Sequence, residues 1–137
     1  MDIQVAVLCD AATDSGGKLN LLGAFDTIQA QEMPAVHPFC SVALRVTFTS
    51  GEEGSHQLQL NFVNDDGQSV MPSIELPVEI VLPGDNHFIT CNFIVNIQQL
   101  KFEAPGFYAI DVNLDGKLQT SIPLLVKHTP PAETPEA

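Results

Sequence analysis

Three cysteines, four histidines and 17 carboxylates are the groups in this chain with bond-making chemistry to offer. A working thiol needs a base within hydrogen-bond reach and a field that favours the thiolate. Cys9 precedes Asp10, and His37 lies three residues before Cys40. Against this, five basic residues give a formal charge of −12, which opposes a thiolate. Cys9, Cys40 and Cys91 each sit in or beside an apolar run, where a reduced thiol packs as a small hydrophobe. Asp10, Asp14 and Asp26 flank the first loops and are the candidate metal ligands, since converging carboxylates suit calcium. Asp65-Asp66-Gly67 lacks the spacing of a calcium loop and lies between two strand patterns, so it reads as a turn. His37, His56, His87 and His128 show no HxH or HxxxH spacing. No CxxC or GxSxG occurs, and Gly16-Gly17-Lys18 lacks the upstream glycine of a phosphate loop. The expectation is a protein with no resident cofactor that is not an enzyme.

The elements that would position these groups are strands. Val42-Ala43-Leu44-Arg45-Val46-Thr47-Phe48 puts an apolar side chain at every second residue. Leu58 to Phe62, Ile74 to Leu82 and Tyr108 to Leu114 repeat the pattern. Period two belongs to half-buried strands, and no helix-period segment exceeds two turns. Turn signals separate the strands every 8–12 residues or so, as in sandwiches. Asp115-Gly116 supplies the positive φ of a tight hairpin between Phe107–Leu114 and Lys117–Val126. Pro72 and Pro77 restrict Ser69–Leu82 to an edge, a bulge or two pieces. Met33–Pro38 reads as a loop, and Gln98–Pro105 as a connection. The fold expected is all-β: an antiparallel two-sheet β-sandwich of eight or nine strands over residues 1–127. Residues 128–137 are expected to be a disordered, Pro-rich acidic tail, too poor in apolar area to offset its ordering entropy.

Composition narrows the partners. Lys18, Arg45, Lys101, Lys117 and Lys127 stand singly, so no basic patch is available for phosphates, and nucleic acid is not an expected partner. No apolar run approaches a membrane-spanning length, and Asp2 stands where a secretory leader carries basic residues. A reducing, cytoplasmic setting is expected. Phe107 and Ile94 point away from the apolar faces of their strands and are the candidate interaction residues.

Ala104-Pro105-Gly106-Phe107-Tyr108-Ala109-Ile110-Asp111-Val112 resembles the entry to the penultimate strand of immunoglobulin-like domains. The resemblance implies that Tyr108 forms a tyrosine corner, its hydroxyl bonded to upstream backbone. There is no Trp, and Ile110 stands where antibody domains carry Cys, so their disulfide is not implied. Val7-Leu8-Cys9-Asp10-Ala11-Ala12 and Gly17-Lys18-Leu19-Asn20-Leu21-Leu22-Gly23-Ala24-Phe25-Asp26-Thr27-Ile28 resemble the N-terminal signature of a bacterial family of small single-domain proteins of unknown function. That similarity implies a shared fold and carries no catalytic residues; Lys18 and Asp26 would form a cross-strand pair. The leading expectation is a non-enzymatic protein-interaction module that binds a protein partner or itself as a homo-oligomer. The alternatives are a small-ligand or calcium-binding module using its end loops, and a hydrolase or thiol enzyme.

Overall fold

The structure is a computed structural model that describes residues 1–130. Among these residues run nine strands: β1 (Asp2–Ser15), β2 (Lys18–Phe25), β3 (Thr27–Ala30), β4 (Ala35–Thr49), β5 (Gly54–Asn64), β6 (Ile74–Ile80), β7 (Phe88–Phe102), β8 (Gly106–Leu114) and β9 (Lys117–His128). They form a four-stranded sheet in the order β2-β1-β4-β7 and a five-stranded sheet in the order β3-β9-β8-β5-β6. The protein is a two-sheet β-sandwich. β9 extends one residue past the expected domain boundary, and 131–137 of the expected tail lie outside the described residues.

Alternation builds the core. Val42, Leu44, Val46 and Phe48 from the first sheet meet Leu58, Leu60, Phe62, Ile110, Val112, Ile122, Leu124 and Val126 from the second in one buried cluster. Removing each such side chain from water contributes about 1.5–3 kcal/mol. The β8–β9 hairpin turns at Asp115 (φ 52°) and Gly116 (φ 81°), the double positive φ that an Asp-Gly turn supplies. β6 is the outer strand of its sheet and carries Pro77, so of the alternatives the prolines left open the edge is the one the fold takes.

Three features depart from the expected pattern. β3 pairs parallel with β9, so the sandwich is not wholly antiparallel. β1 runs on to Ser15 and turns into β2 through Gly16 and Gly17, both at positive φ, so Asp10 and Asp14, expected to flank loops, lie within a strand. β4 begins at Ala35 and β7 ends at Phe102, so Ala35–Pro38 of the expected loop and Gln98–Phe102 of the expected connection are strand, while Met33–Pro34 and Glu103–Pro105 are not. Each of these two strands supplies the other's ladder. Their register passes from Phe39 opposite Gln98 to His37 opposite Leu100. The skipped level holds Pro38, which has no N–H, and Gln99 at φ 55°. The defect is confined to one level, and pairing resumes beyond it.

Candidate functional site

The outer face of the first sheet is partly covered by its own hairpin. β1 leaves β4 at the level of Cys9 and Ser41. Arg45 and Asn92 lie opposite each other four residues further along β4 and β7. Arg45 Nη1 nevertheless donates to the Gly17 carbonyl at 3.0 Å, and Asn92 Nδ2 donates to Asp14 Oδ2 at 2.8 Å. The β1–β2 hairpin therefore folds back across this face. Cys9, Ser41 and Ala43 beneath it are 0% exposed. The hairpin bends where Asp10 stands level with Gly23, which takes φ 67°. The Asn92 amide beside Asp14, with the Gly17 N–H, holds that carboxyl below its ordinary value.

A second polar cluster lies near the start of β5. His56 Nδ1 is 2.6 Å from Asp115 Oδ2, and Nε2 is 2.6 Å from the Glu52 carbonyl oxygen. Both partners accept, so the arrangement favours the doubly protonated imidazole. The Asp115 carboxylate, then the Glu52 carbonyl, raise the His56 pKa; His56 in turn lowers that of Asp115. Asp115 Oδ1 also accepts from the Gln57 N–H at 2.8 Å. The arrangement has the outline of an acid–histidine pair. Its Nε2 is taken up by the Glu52 carbonyl, so as placed it is a clasp between β5 and the β8–β9 turn. Glu52 is itself held low by the Met1 α-amino group 2.6 Å from Oε2, then by the Thr49 N–H.

The sequence-predicted residues are placed apart. Asp14 belongs to the hairpin tip, Asp10 to its bend, and Asp26 lies beyond β2, accepting from the Thr27 hydroxyl at 2.9 Å. Among the described residues, no three His, Cys, Asp or Glu side chains gather as a metal ion would require. Lys18 and Asp26 flank opposite ends of β2 and are not a cross-strand pair. Phe107, on β8, is 52% exposed; Ile94, on β7, is half-buried and belongs to the other sheet, so they form no common patch. The three cysteines are free. Burial pushes the Cys40 thiol up to about 11 and raises Cys9 and Cys91 as well. His37 packs its ring against Phe25, with centroids 5.4 Å apart, instead of serving Cys40. Tyr108 donates its hydroxyl to the Ala104 carbonyl at 2.6 Å. An open groove of about 320 Å³ runs between β1 and β9, lined by Ala6, Leu8, Phe25, Ile122 and Pro123.

The strand edges differ in character. β6 carries Glu75, Pro77 and Glu79. β3 has four residues, and β2 contains Gly23 and begins at charged Lys18. The half of β9 that β3 leaves uncovered contains Pro123. Short length, charge and proline all discourage strand addition. β7 lacks these protections: it runs 15 residues, with no proline and no charged side chain from Phe88 to Leu100. Its inward side chains expose the same gap. Val42, Leu44 and Val46 on β4 are fully buried, while their β7 partners Val95, Phe93 and Cys91 are only half-buried. The apolar interior thus reaches an edge that no strand covers among the described residues.

Sequence reasoning missed the His56–Asp115 clasp and the hairpin latch, because their members lie 59 and 78 residues apart. Only strand register joins them. No curated protein matches the chain. A sequence model for a family of unknown function covers most of the sandwich, from the start of β1 to near the end of β9. The chain belongs to that family, described as Family of unknown function (DUF6941), which matches residues 4–127.

Proposed function

We propose that this protein is a non-enzymatic protein-interaction module of immunoglobulin-like type, which binds an extended segment along the free edge of β7. The single observation that carries the reading is that edge: long, uncharged from Phe88 to Leu100, and backed by half-buried apolar side chains. An unpaired edge offers a row of N–H and C=O groups, which give affinity, while the flanking side chains give specificity. The immunoglobulin-like assignment is supported by strand order. β1-β4-β7 follows A-B-E, β9-β8-β5 follows G-F-C, and β6 stands beside β5 as C′ stands beside C. The Tyr108–Ala104 hydrogen bond at the start of β8 supports it too. The first sheet then ends at β7, where constant-type domains add a further strand D. A cytoplasmic setting is part of this reading, supported by the three free thiols, and a bacterial one, which rests on the resemblance of the N-terminal signature.

Photo-crosslinking tests it. A benzophenone amino acid replaces Ile94, at the middle of the edge, or Asn61, on β5 in the other sheet. Position 94 is expected to give a discrete protein adduct in cells, identified by mass spectrometry, and position 61 none. Equal labelling at both positions, or none at 94, overturns the reading. Calcium or small-ligand binding through Asp10, Asp14 and Asp26 has no observation in its favour beyond their sequence position.

A further inference from the structure

We infer that the partner of the β7 edge is β7 of a second copy of this chain, paired antiparallel about a two-fold axis through Ile94. The inference rests on the proposed reading of β7 as a protein-binding edge, and adds the identity of the occupant and its register.

The sequence of the edge is close to self-complementary. Asn92-Phe93-Ile94-Val95-Asn96 carries the same order of polar and apolar side chains in both directions. With Ile94 on the axis, Asn92 stands opposite the partner's Asn96, Phe93 opposite the partner's Val95, and Cys91 opposite the partner's Ile97. Thr90 then meets the partner's Gln98. Every pair matches polar with polar or apolar with apolar over nine residues, which is the condition for a fixed register. A shift by one residue puts Asn92 opposite the partner's Val95 and drives the polar and apolar sides out of phase. Asn96 is exposed, and among the described residues only its Oδ1 is hydrogen-bonded, by the Ser41 hydroxyl at 2.7 Å, which leaves its Nδ2 available to a partner.

Charge selects a copy over a basic partner. Two chains of formal charge −12 repel wherever acidic faces meet. The segment Phe88–Leu100 holds no carboxylate of its own, and the one docked on it, Asp14 at Asn92, is offset from its two-fold mate by about 13 Å along the strands, so two copies meet here without carboxylates opposed across the ladder. A basic segment would gain more at β6, where Glu75 and Glu79 flank the edge. The inner face argues the same way. Cys91, Phe93 and Val95 are half-buried as the edge now stands. A second β7 lays Val95 and Phe93 beside them, closing the apolar interior and joining two four-stranded sheets into one of eight. A single strand-to-strand contact is small as interfaces go, so the dimer is expected to be weak, with a dissociation constant of order 1–100 μM.

Sedimentation equilibrium of the full chain up to about 0.5 mM, with two variants, tests this. Wild type is expected to dimerise. Ile94→Lys sets two ammonium groups face to face and is expected to weaken the dimer by about tenfold or more, with an unchanged β-type circular dichroism spectrum. Ile94→Cys, in a Cys91→Ser background, is expected to form a disulfide-linked dimer under mild oxidation. Native Cys91 is not, because the two-fold separates the pair by about 20 Å along the strands. A monomer throughout the concentration range overturns the second copy; the edge itself is then judged by crosslinking at position 94, where adducts with other proteins sustain it. A dimer that is indifferent to Ile94→Lys, and that gives no disulfide in the Ile94→Cys variant, overturns the pairing and assigns the contact to another surface.

Discussion

Gly23→Ala is the sharpest perturbation of the folded-back hairpin. Gly23 sits at φ 67°, and an added Cβ would lie 2.9 Å from Asp10 Cγ, with the carboxylate oxygen closer still. The left-handed conformation costs an alanine about 1–2 kcal/mol. Asp10 is exposed and can swing away, at about 0.5–1.5 kcal/mol for an unfavourable rotamer. Stiffening of the unfolded chain offsets about 0.4–1 kcal/mol. The net destabilisation is about 0.5–3 kcal/mol. For a domain of this size that lowers Tm by about 2–12 °C. Asp10→Ala added to Gly23→Ala removes the steric part and leaves the backbone part, so the double variant is expected to regain about 0.5–1.5 kcal/mol. Differential scanning calorimetry reads the stability. Labelling of Cys9, which the hairpin covers completely, reads the bend, and the labelling rate should rise in Gly23→Ala. A Tm within about 1 °C of wild type, with Cys9 still shielded, would refute a bend fixed at Gly23.

Three further outcomes are expected. Tyr108→Phe removes the bond to the Ala104 carbonyl but keeps the ring against Phe102, at 4.9 Å and 62°; it should cost about 0.5–1.5 kcal/mol in urea denaturation. The raised His56 pKa gives stability that is complete below the unfolded value of about 6.5 and is lost as pH rises through the folded value. The lowered Asp115 pKa gives stability present above about 3.9 and lost as pH falls through its folded value, so Tm measured against pH should be highest between these limits, and His56→Gln should remove the alkaline decline. In the folded chain Cys91 should react with a thiol reagent before Cys9 and Cys40, because it is half-buried while they are fully buried; labelling of Cys40 first would contradict the inward placement of Cys40 on β4.

The sandwich was legible where the information is local. Period-two alternation marked Val42–Phe48, Leu58–Phe62 and Tyr108–Leu114, because one face of each must leave water whatever its partner. Asp115-Gly116 announced its hairpin through backbone sterics, and Pro77 announced an edge through a missing donor. What escaped depends on pairing between distant segments. Pro38 argued against a strand, yet β4 spans it, because Gln99 opposite absorbs the irregularity and Ala35 still pairs with Phe102. Four residues, Thr27–Ala30, were too short to reveal a parallel partner nearly 100 positions away. The three aspartates looked like a potential ligand set in one dimension. The bend at Gly23, the docking of Asp14 on Asn92 and the Thr27 hydroxyl on Asp26 hold the three in separate places. His56 and Asp115 showed no motif at all, since their contact exists only through the pairing of β5 with β8.

Site-resolved amide hydrogen exchange along β7 tests the edge most directly, measured on dilute and on concentrated protein. Pairing with a second copy predicts that the amides of Thr90–Gln98 that point away from β4 exchange quickly when dilute. They should become protected on concentration, while β6 and the uncovered half of β9 stay unchanged. Equal exchange at both concentrations, or new protection confined to other strands, would contradict it.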